Sequence, residues 1–179
     1  MVIALAGRRV DAPNAETARF PLANVPMVRE RLDELFQREA ATALVCSAAC
    51  GADLVALKVA GTRGMRRRIV LPFDRDRFRV TSVIDRPGDW GPLYDRILAE
   101  LDPSHDIVTL EGHGEGTAAY IATNHEILRN AIALARQGND QAIAALVWEG
   151  APRGSDDVTA SFGNDASALG LRVVHVKTL

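Results

Sequence analysis

The stretch TALVCSAACGADLVALKVA, residues 42–60, begins as an apolar strand and continues as a helix. Only the small residues SAACG separate the two elements, so the chain reverses within a short turn. Continuously apolar strands that lead into helices are typical of parallel sheets, whose two faces are both buried. A turn of small residues at a helix N-terminus also exposes backbone N–H groups that can bind phosphate. The stretch predicts a strand–turn–helix unit whose turn either binds a ligand or only reverses the chain.

The rest of the chain repeats this alternation of strand and helix. Short apolar runs predict strands over residues 2–6, 43–46, 69–72, 106–110, 142–148 and 172–176. Helical spacing of apolar residues predicts helices over residues 26–40, 51–64, 88–101, 116–138 and 163–170. Alternating strands and helices imply right-handed crossovers. We therefore predict one α/β domain over residues 1–179, with a doubly wound, mainly parallel, Rossmann-like sheet of five to six strands and helices on both faces.

Composition narrows the class of protein. The chain has 179 residues, 47% of them hydrophobic and 25% charged, which is ordinary for a globular domain. Its formal net charge of −2 gives no general attraction to nucleic acid or to an anionic membrane. No apolar run reaches the roughly 18 residues of a membrane helix, and the N-terminus lacks the basic start of a signal peptide. Two cysteines, Cys46 and Cys50, match no disulfide framework or zinc motif. These features predict a cytoplasmic protein without metal or cofactor.

Two predicted connections, residues 10–26 and 74–90, are long for plain loops, and such loops are usually functional or mobile. The second contains several arginines, but Asp74, Asp76, Asp85 and Asp89 alternate with them. A surface loop with ion pairs is the favoured interpretation of that pattern. Because this loop follows the third strand, Arg77 or Arg79 could still reach a ligand there.

Five motifs in order resemble the SLOG superfamily, the Rossmann-like group of the "Lonely guy" phosphoribohydrolases and the DNA-processing Smf proteins. These motifs are LAGRRVD, CSAACGADLVALKVA, GMRRRIVLPFDRDRFRVTSV, WGPLYDRIL and AYIATNHEILRNAIALA, between residues 3 and 134. More narrowly, they resemble bacterial, mostly uncharacterised members that are proposed to sense or process nucleotide-derived ligands. The resemblance implies a ligand site at the carboxyl ends of the strands. Its residues would be Gly7, Arg8, Ser47, Gly51, Ala52, Asp53, Pro72, Gly116, Thr117, Tyr120 and Asn124.

Two of these residues also form a pattern by themselves. Tyr120 and Asn124 are four positions apart and so share one face of the predicted fourth helix. That face could hold a base or ribose by stacking and amide hydrogen bonds. The alternative is that Tyr120 belongs to the core and Asn124 bonds a loop backbone.

The resemblance is weakest at the catalytic element. The phosphoribohydrolases carry PGGxGT followed by a glutamate, whereas this chain has LEGHGEGTAAY, in which Glu111 and Glu115 precede Thr117. The segment matches no metal-binding motif. Glu115 is the candidate catalytic residue if the protein has hydrolase activity, and a glycine-rich turn with solvated charges is the alternative.

Three functions follow from the sequence. The leading hypothesis is the binding, for sensing or processing, of a nucleotide or nucleotide-derived phosphate. The second is hydrolysis of the N-glycosidic bond of a nucleoside monophosphate, with Glu115 activating water or stabilising the ribose cation. The third is DNA binding as in the Smf proteins, which the net charge of −2 disfavours. Self-association as a homodimer fits the mostly apolar helix over residues 51–63, and no membrane partner is expected.

Overall fold

The computed structural model describes residues 1–112 and 116–179. In these two ranges the strands form one sheet in which each pair of neighbours is parallel, in the order β4-β3-β2-β1-β5-β6. The strands are β1 (Val2–Gly7), β2 (Ala43–Cys46), β3 (Arg66–Leu71), β4 (Ile107–Thr109), β5 (Ala142–Trp148) and β6 (Arg172–Lys177). The predicted Rossmann-like α/β fold is confirmed.

Helices cover both faces of this sheet. They are α1 (Val25–Arg38), α2 (Ala52–Thr62), α3 (Arg75–Phe78), α4 (Trp90–Ala99), α5 (Thr117–Gln137) and α6 (Val158–Ala168), with a short 3₁₀ turn at Leu22–Asn24. Helices α1, α2 and α4 pack with Ile3 and Leu5 of β1 on one face. Helices α5 and α6 pack with Val2 and Ala4 on the other. Successive residues of β1 are thus buried on opposite faces, which is why the strand is apolar throughout. No helix among the described residues is long and apolar enough to span a membrane.

Two elements begin three or more residues before their predicted starts. Strand β3 begins at Arg66, three residues before the predicted start, because Arg66, Arg67 and Arg68 pair in register with β2. Helix α6 begins at Val158 rather than at residue 163. Its start is fixed by the Asp157 carboxylate, which accepts hydrogen bonds from the N–H groups of Thr159 and Ala160.

The long predicted connection over residues 74–90 contains ordered helix. Asp74 caps α3 by accepting a hydrogen bond from the Arg77 N–H at 2.9 Å, and the helix continues as a π-helical turn over Arg79–Val83. Phe78 and Val83 are fully buried in the core. The π-helical turn therefore forms a fixed wall beside the carboxyl ends of the strands.

The strand order changes direction beside β1. From β1 the chain builds β2, β3 and β4 on one side, and then crosses to place β5 and β6 on the other. The loops that leave β1 and β5 consequently separate at the carboxyl edge of the sheet. In open α/β sheets the crevice at such a switch point is where ligands bind.

Candidate functional site

A cleft of about 570 Å³ opens at this switch point. Its walls come from the segments after β1 and β2, the π-helical turn, the first turns of α5 and the start of α6. The volume lies within the range of small-molecule sites. The polar side chains that line it are Arg8, Arg9, Asp11, Thr17, Arg19, Ser47, Asp53, Thr81, Ser82, Arg86, Tyr120, Thr123, Asn124, Arg153 and Thr159.

The predicted site residues divide into two groups in the structure. Those that line the cleft are Gly7, Arg8, Ser47, Asp53, Tyr120 and Asn124. Those that the structure describes but that do not line it are Gly51, Ala52, Pro72, Gly116 and Thr117. The predicted catalytic residue, Glu115, lies outside the described residues.

The turn between β2 and α2 packs against the chain that follows β1. A Cβ atom on Gly51, whose φ is +98°, would lie 2.8 Å from both the Arg8 carbonyl oxygen and the Val10 backbone nitrogen. Two backbone N–H groups at this turn have partners in the protein: that of Cys50 donates to the Ser82 carbonyl at 3.0 Å, and that of Ala52 to the Arg8 carbonyl at 3.1 Å. The small residues of the turn thus allow two backbone segments to approach closely.

Asp53, in the first turn of α2, is the buried acid of the cleft. It is 7% exposed, and its Oδ2 accepts a hydrogen bond from the Ala49 N–H at 3.1 Å. Burial raises the pKa of this carboxyl to about 7, although the Ala49 hydrogen bond and the charge of Arg9 act in the opposite direction. A carboxyl that titrates near neutrality inside a cleft is a frequent feature of functional sites.

Arg8 forms an ion-pair network beneath the cleft. Its Nε and Nη2 donate to the two carboxylate oxygens of Glu149 at 2.7 and 3.0 Å, and its Nη1 donates to Asp157 Oδ1 at 2.7 Å. A further hydrogen bond reaches the Ala151 carbonyl at 2.9 Å. Although burial acts to raise it, the hydrogen bond from Arg8 holds the pKa of Asp157 well below its usual range. Arg8 is therefore fixed by internal contacts at the position that the sequence assigned to a ligand.

Four further arginines lie more openly around the cleft than Arg8 does. Arg9 Nη1 donates to the Thr81 carbonyl and to Asp85 Oδ1, both at 3.0 Å, and the Arg86 guanidinium lies 3.6 Å from the same Asp85 carboxylate. On the other side, the Arg153 side chain is 55% exposed. Burial and the positive charge of Arg8 lower the pKa of Arg153.

Arg19 is the fourth of these arginines and pairs with Glu149. Arg9 had a signal in the sequence because it adjoins Arg8 in the GRR turn after β1, and Arg86 belongs to the connection over residues 74–90, for which a surface loop with ion pairs was the favoured interpretation. Sequence reasoning missed Arg19 and Arg153, which occur in connecting segments without a motif and reach the cleft through contacts between distant parts of the chain.

The wall contributed by α5 joins the π-helical turn and α6. The Tyr120 hydroxyl lies 3.1 Å from Ser82 Oγ, and the Tyr120 ring is edge-on to Phe73 with 6.5 Å between centroids. Asn124 donates from Nδ2 to the Val158 carbonyl at 2.9 Å. Both residues face the cleft while bonding the protein, so their predicted role in ligand binding stays a prediction.

The thiols and the acids of the described residues supply no metal centre. Cys46 and Cys50 are free and fully buried, and burial raises the pKa of Cys50 to about 12. In the ranges 1–112 and 116–179, no group of three or more His, Cys, Asp and Glu side chains is placed to hold an ion.

The fold and the cleft define a Rossmann-like α/β protein with a ligand-sized site at its switch point. No protein-family model and no curated protein matches the chain. The chain is similar to the X-ray structure of DNA processing protein A (DprA) from Streptococcus pneumoniae, with a TM-score of 0.45 and 15% identity. The match covers 98% of this chain and 58% of that one, so this chain spans less than two thirds of that protein. At this TM-score the similarity assigns neither a family nor a function, and membership of the SLOG superfamily stays a prediction.

Proposed function

We propose that this protein binds a nucleotide or a nucleotide-derived phosphate in the cleft between the loops that follow β1 and β2. The observation that carries the proposal is the cleft itself, which lies at the switch point and combines arginine side chains with hydroxyl, amide and carboxyl groups. Rossmann-like sheets use this position for nucleotides. Arginine is the side chain best suited to hold a phosphate through paired hydrogen bonds.

In this proposal the guanidinium groups around the cleft hold the phosphate. Arg9 and Arg86 both pair with the Asp85 carboxylate. These three side chains therefore carry two positive charges and one negative charge. Arg9 is only partly buried, with 28% of its side chain exposed. A phosphate that replaces Asp85 as the partner of Arg9 would form a charge-assisted hydrogen bond without leaving a buried charge unpaired.

The opposite side of the cleft has a similar excess of positive charge. Arg8, Arg19 and Arg153 surround the carboxylates of Glu149 and Asp157. Because burial and the positive charge of Arg8 both lower the pKa of Arg153, an added anion at Arg153 would be favoured. The two groups of arginines make a ligand with one or two phosphate groups the best match for the cleft.

Ligand binding is tested first by isothermal titration calorimetry and thermal shift with nucleoside mono- and diphosphates, ADP-ribose, NAD and cyclic dinucleotides. We expect at least one compound to bind, and Arg9→Ala and Arg153→Ala to weaken it by roughly tenfold each, the effect of one charge-assisted hydrogen bond. Arg63→Ala is the matched control, because Arg63 pairs with Asp33 and does not line the cleft. Absence of binding by the whole panel, with wild-type protein folded, would refute the proposal.

The same samples distinguish the two other hypotheses. Release of a free base from a nucleoside monophosphate, abolished by Glu115→Gln with affinity retained, would indicate the hydrolase. Oligonucleotide binding that falls steeply with salt, without mononucleotide binding, would indicate DNA binding.

A further inference from the structure

Two carboxylates line the cleft, and they differ in how their oxygens are used. Both oxygens of Asp11 accept hydrogen bonds from the backbone N–H groups of Arg19 and Phe20, at 3.0 to 3.3 Å. Asp53 has one such bond, from the Ala49 N–H to Oδ2. Within the described chain, no hydrogen bond reaches Asp53 Oδ1. Asp53 is therefore the cleft carboxyl with an unused acceptor.

The unused oxygen belongs to a side chain that lines the cleft. Among the described residues, the one fully buried side-chain nitrogen or oxygen without a partner is Arg68 Nε, in β3. Asp53 Oδ1 is not sealed in this way, although Asp53 as a whole is only 7% exposed. A carboxyl that is this deeply buried loses most of its hydration, so an incomplete set of hydrogen bonds is costly. A hydrogen-bond donor on a ligand would complete the set.

We infer that Asp53 is the specificity-determining residue of the cleft, accepting a hydrogen bond at Oδ1 from a ribose hydroxyl, so that the protein prefers ribonucleotides to deoxyribonucleotides. This inference rests on the proposed function. Two neighbours favour a sugar hydroxyl over a base amine. Arg9, the proposed phosphate ligand, is close enough to Asp53 to oppose the effect of burial on its pKa. The sugar is the part of a nucleotide nearest its phosphate.

The second neighbour is Ser47, which lies in the turn between β2 and α2 and also lines the cleft. A serine hydroxyl both donates and accepts, as a ribose hydroxyl does, whereas a carboxylate only accepts. Ser47 and Asp53 together can therefore bond the two adjacent hydroxyl groups of a ribose. A site built around such a bond rejects the analogue that lacks the hydroxyl, because the buried acceptor is then left unpaired.

The test compares matched nucleotides on the unmutated protein by titration calorimetry. Ribo-, 2′-deoxy- and 3′-deoxynucleotides with the same base and phosphate are compared, and adenosine and inosine monophosphates separate the effect of a base amine. We expect at least one deoxy analogue to bind roughly tenfold or more weakly than the ribonucleotide, as for a lost hydrogen bond to a charged group. In Asp53→Asn this preference should fall to about twofold or less.

Asp11→Asn is the matched control, because it alters the other cleft carboxyl, whose oxygens are already used. It should change the affinities for ribo- and deoxynucleotides alike and leave their ratio unchanged. Equal binding of all three sugars by wild type would overturn the inference while the proposed function stands. The inference would also be overturned if Asp53→Asn kept the preference for ribonucleotides, or if that variant changed only the difference in affinity between adenosine and inosine monophosphates. If no nucleotide binds at all, the proposed function fails and the inference with it.

Discussion

Arg8 and Asp157, 149 positions apart in the sequence, form a buried ion pair with 2.7 Å between Nη1 and Oδ1. Arg8 follows β1, and Asp157 caps α6 by accepting hydrogen bonds from the N–H groups of Thr159 and Ala160. The pair therefore connects the two segments that separate at the switch point of the sheet. Arg8 lines the cleft, and the Asp157 cap fixes where α6 begins.

We predict that Arg8→Ala lowers the free energy of unfolding by about 3–5 kcal/mol, because it leaves the buried carboxylates of Glu149 and Asp157 without their main partner. Urea denaturation at pH 7 measures this loss. Arg63→Ala removes a two-bond contact with Asp33 at an exposed site and should hardly move the urea midpoint. Equal midpoints for Arg8→Ala and wild type would contradict the structural role of Arg8.

Glycine variants test whether the turn after β2 serves packing. Gly51 has a φ of +98°, and a Cβ atom there would lie 2.8 Å from two backbone atoms. Gly51→Ala should therefore cost more than the roughly 1–3 kcal/mol expected from backbone strain alone. Gly64 has a φ of +67° but no atom within 4 Å of its Cβ position, so Gly64→Ala introduces backbone strain without a clash. Gly154 has neither a positive φ nor an atom within 4 Å, so Gly154→Ala introduces neither.

Thermal unfolding should therefore rank the three variants in the order Gly51→Ala, Gly64→Ala, Gly154→Ala, from most to least destabilised. If Gly51→Ala were as stable as Gly154→Ala, the close approach of the two backbone segments would not be needed for folding.

The sequence predicted the sheet well because its strands are buried on both faces and therefore consist of continuous apolar runs. Strand β5, predicted over residues 142–148, has those bounds in the structure. The start of β3 was missed because Arg66, Arg67 and Arg68 lie at the rim of the sheet, where partial exposure allows charged residues in a strand. The start of α6 was missed because a side-chain cap at Asp157, rather than apolar spacing, fixes it.

The candidate site was predictable only in part, because some of its residues are placed by the local sequence and others by contacts across the fold. Ser47 and Asp53 could be found because Ser47 directly follows β2 and Asp53 lies in the first turn of the helix after it, and the carboxyl ends of parallel strands converge at one edge. Arg19 and Arg153 could not, because their positions depend on contacts with Glu149 and Asp157 across the fold. Local spacing also could not reveal how closely Gly51 approaches the backbone of Arg8 and Val10.

Asp53→Asn should stabilise the protein above neutral pH. The folded-state pKa of Asp53 is about 7 against an ordinary value of 3.8, so between these values the folded protein keeps a proton that the unfolded chain releases. The contribution of Asp53 to the free energy of unfolding is fully present below about pH 4. It is lost as the pH rises toward 7, by at most about 1.4 kcal/mol per pH unit. The variant has no such dependence, and its amide oxygen can still accept from the Ala49 N–H.

Urea denaturation of both proteins at pH 5 and pH 8 isolates this effect, since all other titrating groups cancel in the difference. The advantage of Asp53→Asn should be larger at pH 8 than at pH 5. A difference that does not change with pH would show that Asp53 is ionised in the folded protein throughout this range. Such a gain in stability from altering a buried site residue would fit the usual conflict between function and stability.

The hydrogen bond between Tyr120 and Ser82 should hold the π-helical turn against α5. The two hydroxyl oxygens are 3.1 Å apart, and the Ser82 carbonyl also accepts from the Cys50 N–H at 3.0 Å. Tyr120→Phe and Ser82→Ala should each cost about 0.5–1.5 kcal/mol and should not add in the double variant, because both remove the same bond. Tyr94→Phe, which removes a separate bond to the Arg75 carbonyl, should add fully to Ser82→Ala. Hydrogen exchange of the backbone amides over Arg79–Val83 should be faster in Tyr120→Phe than in wild type, and unchanged in Tyr94→Phe. If instead the stability losses of Tyr120→Phe and Ser82→Ala add in the double variant, the hydrogen bond does not couple the two walls of the cleft.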